Sequence, residues 1–378
     1  MSTKSQEGQF RARCEYGREQ RRNFYKREAG ESKADGLDFA ESFEDIIKEA
    51  PEGLPPSVSG KIAVFYADGN KFTKIREKSQ SIAELGDFSE KLLKYQRGML
   101  GELLDWLRAR GGSQYWEAYL QYPSKVKGRP FWPLRFETLL WGGDELTFVM
   151  PAWLGIDFAR KFCEKWTKGW TARGEPTGAP LTFGMGLVFC HEKTPIRQAR
   201  KMAKIMAEDA KETLGGKLEH VLQIEAFESI ALPEYENGLA RYRASLFDLD
   251  DDFDKEKLAG ALTLRGGEIN KTMEAIETLK DGAFARSQIY NLLRSARINK
   301  DGNHAFSLHR GKADNDLAAE AQKYFKRMGS NEDEGLNALR ILGDKVPLAY
   351  SLAVISSLWD YVEPLAHVPA KTAVGQTS

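Results

Sequence analysis

Residues 61–70 read KIAVFYADGN, and residues 135–150 read RFETLLWGGDELTFVM. The first opens on a compact apolar run, Lys61–Tyr66, rich in strand formers and stopped by Ala67-Asp68-Gly69-Asn70. A buried strand that ends on an acid and a glycine presents a carboxylate at a sheet edge. The second holds two strand-like runs, Arg135–Trp141 and Leu146–Met150, joined by Gly142-Gly143-Asp144-Glu145, and reads as a hairpin. Between the two, Ile82 to Arg110 carries apolar residues at helical spacing (Leu92, Leu93, Met99, Leu100, Leu103, Leu104, Leu107), followed by a loop-like aromatic insertion, Gly111–Pro133. Pro151–Lys168 reads as a helix. Leu181–Cys190, LTFGMGLVFC, alternates bulky residues with Thr182, Gly184, Gly186 and Val188, a strand of period 2 with one bulky face. Thr194–Thr213 is an amphipathic helix with Ile196, Ala199, Ala203, Met206 and Ala210 on one stripe, and His220–Phe227 is a last strand. The order strand, helix, hairpin, helix, strand, helix, strand predicts an α+β domain, close to a ferredoxin-like sheet with helices on one face.

Outward from this core the pattern changes twice. Beyond Ala231 the strand signals fade, and Leu239–Leu246, Lys255–Leu262, Glu268–Lys280, Ser287–Ile298, Asp316–Met328, Glu334–Ile341 and Pro347–Tyr361 all read helical, with a frayed tail from His367. On the other side, Arg11 to Arg27 holds seven basic residues against two acids, and Glu28 to Glu52 holds nine acids against Lys33 and Lys48. Such charge blocks before the turn-rich PEGLPPSVSG of residues 51–60 read as a solvated arm. The expected division is a charged extension over 1–59, the α+β domain over 60–230 and a mostly helical domain over 231–378.

The chain has 378 residues, 55 Lys+Arg against 55 Asp+Glu, and is 42% hydrophobic and 29% charged. That is the composition of a globular, multidomain protein. Its apolar runs are too short to cross a bilayer, and MSTKSQEGQF carries no apolar signal core. Cys14, Cys163 and Cys190 form no C-x-x-C, which excludes a disulfide framework or a cysteine zinc finger and predicts a cytoplasmic setting. Zero net charge argues against a bulk electrostatic grip on DNA.

The chemistry-bearing residues are Asp68 at the end of the first strand and Asp144 and Glu145 in the hairpin. In an antiparallel sheet these places lie side by side, and carboxylates meeting there repel unless they hold cations; hard oxygen donors suit Mg²⁺ or Mn²⁺. Two ions about 3.5–4 Å apart activate a hydroxyl and clamp a triphosphate for in-line displacement. Gly69, Gly142 and Gly143 allow backbone close to phosphate.

Tyr66-Ala67-Asp68-Gly69-Asn70 followed by Trp141-Gly142-Gly143-Asp144-Glu145-Leu146 resembles the palm of nucleotidyl cyclases. The relatives are GGDEF-type diguanylate cyclases and the large polymerase-cyclase subunit of type III CRISPR effectors. The hairpin reads GGDEL where the first have GGDEF and the second GGDD, and Asp68-Gly69-Asn70 is closer to the CRISPR form. Leu187–Pro195, LVFCHEKTP, is similar to that branch's passage before its last palm helix, and Ala203–Lys211, AKIMAEDAK, to the helix whose lysine meets triphosphate. The resemblance covers roughly Lys61 to Ser229. It implies Asp68 and Asp144 as metal ligands, Glu145 as a third acid near the attacking 3′-hydroxyl, and the Gly69 carbonyl as a further ligand. It implies substrate contacts by Gly69 and Asn70, by backbone N–H groups of Lys71 and Phe72, by Gly142 and Gly143, and by Lys211 with Lys204 beside it. For Lys204 a solvated basic stripe with Arg197 and Lys201 is an equal reading.

The departures are specific. Diguanylate cyclases carry a guanine-reading Asn where this chain has Arg76, so guanine specificity is unsupported. Gly86-Asp87 is similar to their later Gly-Asp or is a helix cap. None of the five histidines is followed by Asp, so the HD nuclease of the CRISPR subunit has no counterpart, and its zinc cysteines are missing. The expectation is a reduced, stand-alone relative. His191 after a strand, Gly266-Gly267-Glu268 as an imitation of the hairpin, the acidic DLDDDFD of residues 248–254, and Arg286, Arg294 and Arg297 on one helix all read as structural or solvated features.

The function implied is a Mg²⁺-dependent (or Mn²⁺-dependent) nucleotidyltransferase, with two ions, that condenses NTP or dNTP substrates into a cyclic or short linear oligonucleotide. By analogy it serves antiphage defence through a separate effector protein that responds to the product. Cyclisation across a homodimer and sequential turnover in one site both stay open, no membrane is involved, and nucleic acid enters only as an activator. The alternatives are a palm that senses nucleotides without catalysis and, less favoured, a template-dependent polymerase.

Overall fold

A computed structural model describes residues 17–362 apart from 18, 35–36, 49, 51–52, 71, 73–80, 110–123, 127–128, 132, 170–180, 216, 234–236, 248, 250–253, 283, 298–311 and 344–345. Lys71, Arg76, Cys14, most of the aromatic insertion and the tail from His367 lie outside the described residues.

The chain forms a six-stranded mixed sheet. Its strands are β1 (Lys61–Gly69), β2 (Glu137–Gly142), β3 (Glu145–Pro151), β4 (Phe183–His191), β5 (Val221–Ala226) and β6 (Leu264–Arg265), in spatial order β6-β5-β4-β1-β3-β2. Four of them, β4-β1-β3-β2, are antiparallel throughout and are linked by α1 (Ile82–Ala109) between β1 and β2 and α2 (Gly155–Gly169) between β3 and β4. That is the ferredoxin-like arrangement expected. A third helix, α3 (Ile196–Glu212), then crosses from β4 to β5, which pairs parallel with β4; a parallel neighbour requires such a crossover.

The sheet is buried on both faces, and side-chain alternation decides what covers each. Ala63, Phe65 and Ala67 of β1 and Phe183, Met185, Leu187 and Phe189 of β4 join the core under α1 and α2, with Leu100, Leu103, Leu104, Phe158 and Phe162. Ile62, Val64 and Tyr66 point the other way and meet Ala199, Met202, Ala203, Met206 and Ala207 of α3. Helices therefore occupy both faces, where the sequence reading placed them on one. The small residues of β4 are the reason. A Cβ at Gly186 would overlap the backbone of Ala203, whose carbonyl carbon would stand at 2.8 Å, and one at Gly184 would stand 2.8 Å from the Ala207 carbonyl oxygen. With glycine at both positions, the alanine stripe of α3 settles directly on the strand.

The outer parts of the chain belong to the same core. Beyond residue 230, β6 joins the sheet edge through Leu264 and Arg265, a strand the helical pattern around it conceals. Arg243 donates to Glu225 (2.8 Å) and Gln223 (2.9 Å) of β5, and Tyr361 stacks on Phe189 at 4.1 Å. Buried residues of the last helix, Leu348–Leu358, and of Glu268–Asp281 sit in one cluster with the strands of the sheet, so the boundary expected at 230 crosses a continuous core. The extension is also more than a solvated arm. Residues 19–29 are helical; Tyr25 is buried, stacks on Phe39 at 5.0 Å and shares a hydrogen bond with Thr138 (2.9 Å) on the edge strand β2. An edge strand leaves unpaired backbone, and covering it with a helix is a common remedy. Among the described residues no helix is long and apolar enough to cross a membrane.

Candidate active site

Backbone register brings the predicted acids to one place. Asp68 of β1 lies directly across from Glu145 of β3, and Gly184 of β4 lies on Asp68's other side. Directly opposed residues share a face, so both carboxylates stand on the α3 side of the sheet, one step beyond Tyr66. Asp144 sits in the turn between β2 and β3, and its carbonyl accepts a hydrogen bond from the Gly69 N–H (3.0 Å), which ties the turn to the end of β1. Gly143 takes φ +58°, a conformation other residues adopt only under strain. Its carbonyl accepts from Nε2 of Gln96 at 2.5 Å, and Gln96 is buried on α1. Next along α1, Arg97 donates to Glu28 (3.1 Å), which also accepts from Trp141 (3.4 Å). The hairpin is thus held from beneath by α1 and by the N-terminal helix.

Above the acids lies α3. Lys211 donates to the Asp68 carboxylate and to the Gly69 carbonyl (3.1 Å); Lys204 donates to Glu145 (3.2 Å) and lies over the Tyr66 ring at 6.0 Å. The Lys211–Asp68 pair is the more enclosed, with side chains 22% and 21% exposed against 42% and 37% for Lys204 and Glu145. Exposed pairs contribute little because water screens them, so the inner pair dominates the local field. Burial raises the Asp68 pKa and the neighbouring Asp144 and Glu145 charges add to it, outweighing the pull of Lys211. For Glu145 burial also raises the pKa, but Lys204, the Tyr66 hydroxyl and Arg200 together bring it below the ordinary range. Tyr66 itself is held protonated, first by burial and then by the Asp68 and Glu145 charges.

The remaining predicted residues divide. Asn70 is buried, and its Nδ2 donates to Thr182 (2.9 Å) and to the Glu219 carbonyl (2.8 Å), so its side chain pins strand ends together where a substrate contact was expected. Phe72 is buried against Phe183, ring centroids 5.7 Å apart, and its ring fills the space beside Gly69. Gly142 is exposed at the turn, as phosphate access would need. His191 pairs across from Lys61 at the opposite end of the sheet from Asp68. Gly86-Asp87 lies within the exposed first turns of α1, after its Ser81 cap, and is not itself a cap. Arg286 is committed to Asp360 (2.5 Å), Gly267 caps the helix at Glu268, and Asp254 caps the helix at Lys255.

Gln96, Tyr66 and Gly184 were given no role from sequence. For Tyr66 the signal was available: it precedes Asp68 by two positions on a strand and so shares its face.

The donor set fits a hard cation in chemistry. Asp68 and the Gly69 carbonyl already converge on one cation, the Lys211 ammonium, with Glu145 alongside. Among the described residues, no group of three or more His, Cys, Asp or Glu side chains stands together as a metal-holding set; two of the three expected acids are engaged by lysines.

Comparison with known families agrees with this geometry. Residues 61–217, from β1 through α3, match the family model for Cas10/Cmr2, second palm domain. This region is similar to the polymerase-like palm of the type III CRISPR family that the model describes. The match takes in less than half of the chain. No curated protein matches the chain significantly.

Proposed function

We propose that this palm is the centre of a metal-dependent nucleotidyltransferase that joins nucleoside triphosphates into a cyclic or short linear oligonucleotide signal. The observation that carries the reading is the registered pair Asp68 and Glu145 beneath Lys204 and Lys211, beside a hairpin turn that exposes Gly142. In the reaction the 3′-hydroxyl oxygen of one nucleotide bonds to the α-phosphorus of another, the bond to the bridging oxygen breaks, and pyrophosphate leaves. Asp68, the Gly69 carbonyl, Asp144 and Glu145 would hold Mg²⁺ or Mn²⁺, which when bound supplies charge neutralisation at the phosphates and acidifies the hydroxyl. Glu145, kept ionised by Lys204, is placed to hold or accept the hydroxyl proton. Lys211 and Lys204 offset triphosphate charge as it builds on the leaving group. A defence role, a product-sensing effector protein, a facing second copy and a nucleic-acid activator all follow from the family analogy.

A second reading, a palm that binds nucleotide without catalysis, draws on the lysine pairing of two of the acids. One experiment separates the two. Purified protein is incubated with each NTP and dNTP plus Mg²⁺ or Mn²⁺, with and without added nucleic acid, and products are read by mass spectrometry. Oligonucleotide and pyrophosphate that vanish in Asp144→Ala support the transferase. Bound, unaltered nucleotide under every condition supports the sensor.

A further inference from the structure

The path of Lys211 to Asp68 is built into the sheet. Its stem runs across β4 at Gly184, the residue registered opposite Asp68, and a Cβ there would overlap Lys211 Cγ and stand 2.8 Å from Cε. Glycine at this position leaves the stem a flat track to the strand end. The ammonium that arrives is received by a carboxylate and a carbonyl oxygen together, Asp68 and Gly69. Such a pair of hard oxygen donors is what a divalent cation would use. Lys211 therefore meets the same atoms that the reading above gives to metal, and two cations do not share that pair.

Resting on that reading, the geometry points to Lys211 as an internal cation that competes for the Asp68–Gly69 donor pair. Without a polyphosphate, Lys211 holds the pair. When a triphosphate arrives, its oxygens offer the ammonium a new partner, Lys211 lifts from Gly184's track, and the donors become available to the divalent ion. Cation and triphosphate are then coupled: each improves the affinity of the site for the other, through one side chain that moves between them.

The test is Mn²⁺ binding in the absence of nucleotide, followed by the electron paramagnetic resonance signal of the free ion. It uses the full chain as wild type, Lys211→Met and Lys211→Arg. Removing the ammonium is expected to tighten Mn²⁺ binding about tenfold, the size of one charge-assisted hydrogen-bonded contact. Lys211→Arg, which keeps the positive charge, is expected to bind Mn²⁺ as the wild type does. Thermal melting checks folding, and Lys211→Gln replaces the Met variant if that melts early. Equal or weaker Mn²⁺ binding by the uncharged variants overturns this inference and leaves the metal-dependent function standing. Absence of Mn²⁺ binding in every protein overturns both.

Discussion

Asp68 and Glu145 face the same helix, yet their surroundings push their pKa values in opposite directions. Asp68 is raised by burial and by its acidic neighbours, while Glu145 is lowered by Lys204, Tyr66 and Arg200 acting against its own burial. Replacing Asp68 by Asn or Asp144 by Ala should lower nucleotide incorporation by at least about 100-fold, measured as pyrophosphate release, with the melting temperature little changed. Gln96→Ala removes the hydrogen bond to the Gly143 carbonyl at the exposed turn and should cost about 0.5–1.5 kcal/mol in denaturant unfolding. His220 offers a pH test. It accepts from the Phe183 N–H through Nδ1 (3.3 Å), so its proton sits on Nε2, and burial lowers its pKa from 6.5 to about 4. The unfolded chain takes up that proton near pH 6.5 and the folded chain only near pH 4. Stability is therefore complete above pH 6.5 and is lost as the pH falls through this window. By about pH 4 the wild type should have lost roughly 3 kcal/mol relative to His220→Asn, which keeps an acceptor at the same place; parallel pH profiles for the two proteins would contradict the assignment. Asp68 and Glu145 were legible because an acid that ends a strand and an acid in a hairpin turn are each local signals. Gln96 and His220 were not, because their partners lie 47 and 37 residues away.

At the scale of elements, the site depends on how closely α3 approaches β4. The alternation of small and bulky residues over 181–190 was visible in the sequence, and it fixed which face is bulky. What it did not reveal is that the small face receives a helix, since a stripe of glycines reads equally well as an open surface. Contact with the alanines of α3 settles it. Gly186→Ala should destabilise the protein by about 1–3 kcal/mol or more, because the obstruction is backbone and cannot rotate away. Gly142→Ala, which meets nothing within 4 Å, should fall within about 0.5 kcal/mol of the wild type. Equal effects at the two positions, compared by chemical denaturation, would remove the packing argument. The hairpin, the palm strands and the C-terminal helices were each readable from periodicity and turn residues. The two-residue β6 was hidden, being too short for any period to show.

For the molecule as a whole, composition implied separate units, whereas burial joins them. The sheet gains its last strand from beyond residue 230, and Tyr361 donates to the Ser57 carbonyl (2.9 Å) while accepting from Lys61 (3.0 Å), closing the far end of the palm. A fragment of residues 60–230 would expose the outer edge of β5 and the surface of α3 that the later helices cover. It should aggregate or melt without cooperativity, and a sharp calorimetric transition from that fragment would restore the boundary at 230. Net charge, zero for the chain, also misleads as an average: two lysines and three acids concentrate at one strand end. Whether this concentration of charge transfers nucleotides is read by mass spectrometry of reactions containing all four NTPs and Mn²⁺. Oligonucleotide and pyrophosphate are expected from the wild type and neither from Asp68→Asn. The same products from Asp68→Asn at an undiminished rate would contradict transfer at this site.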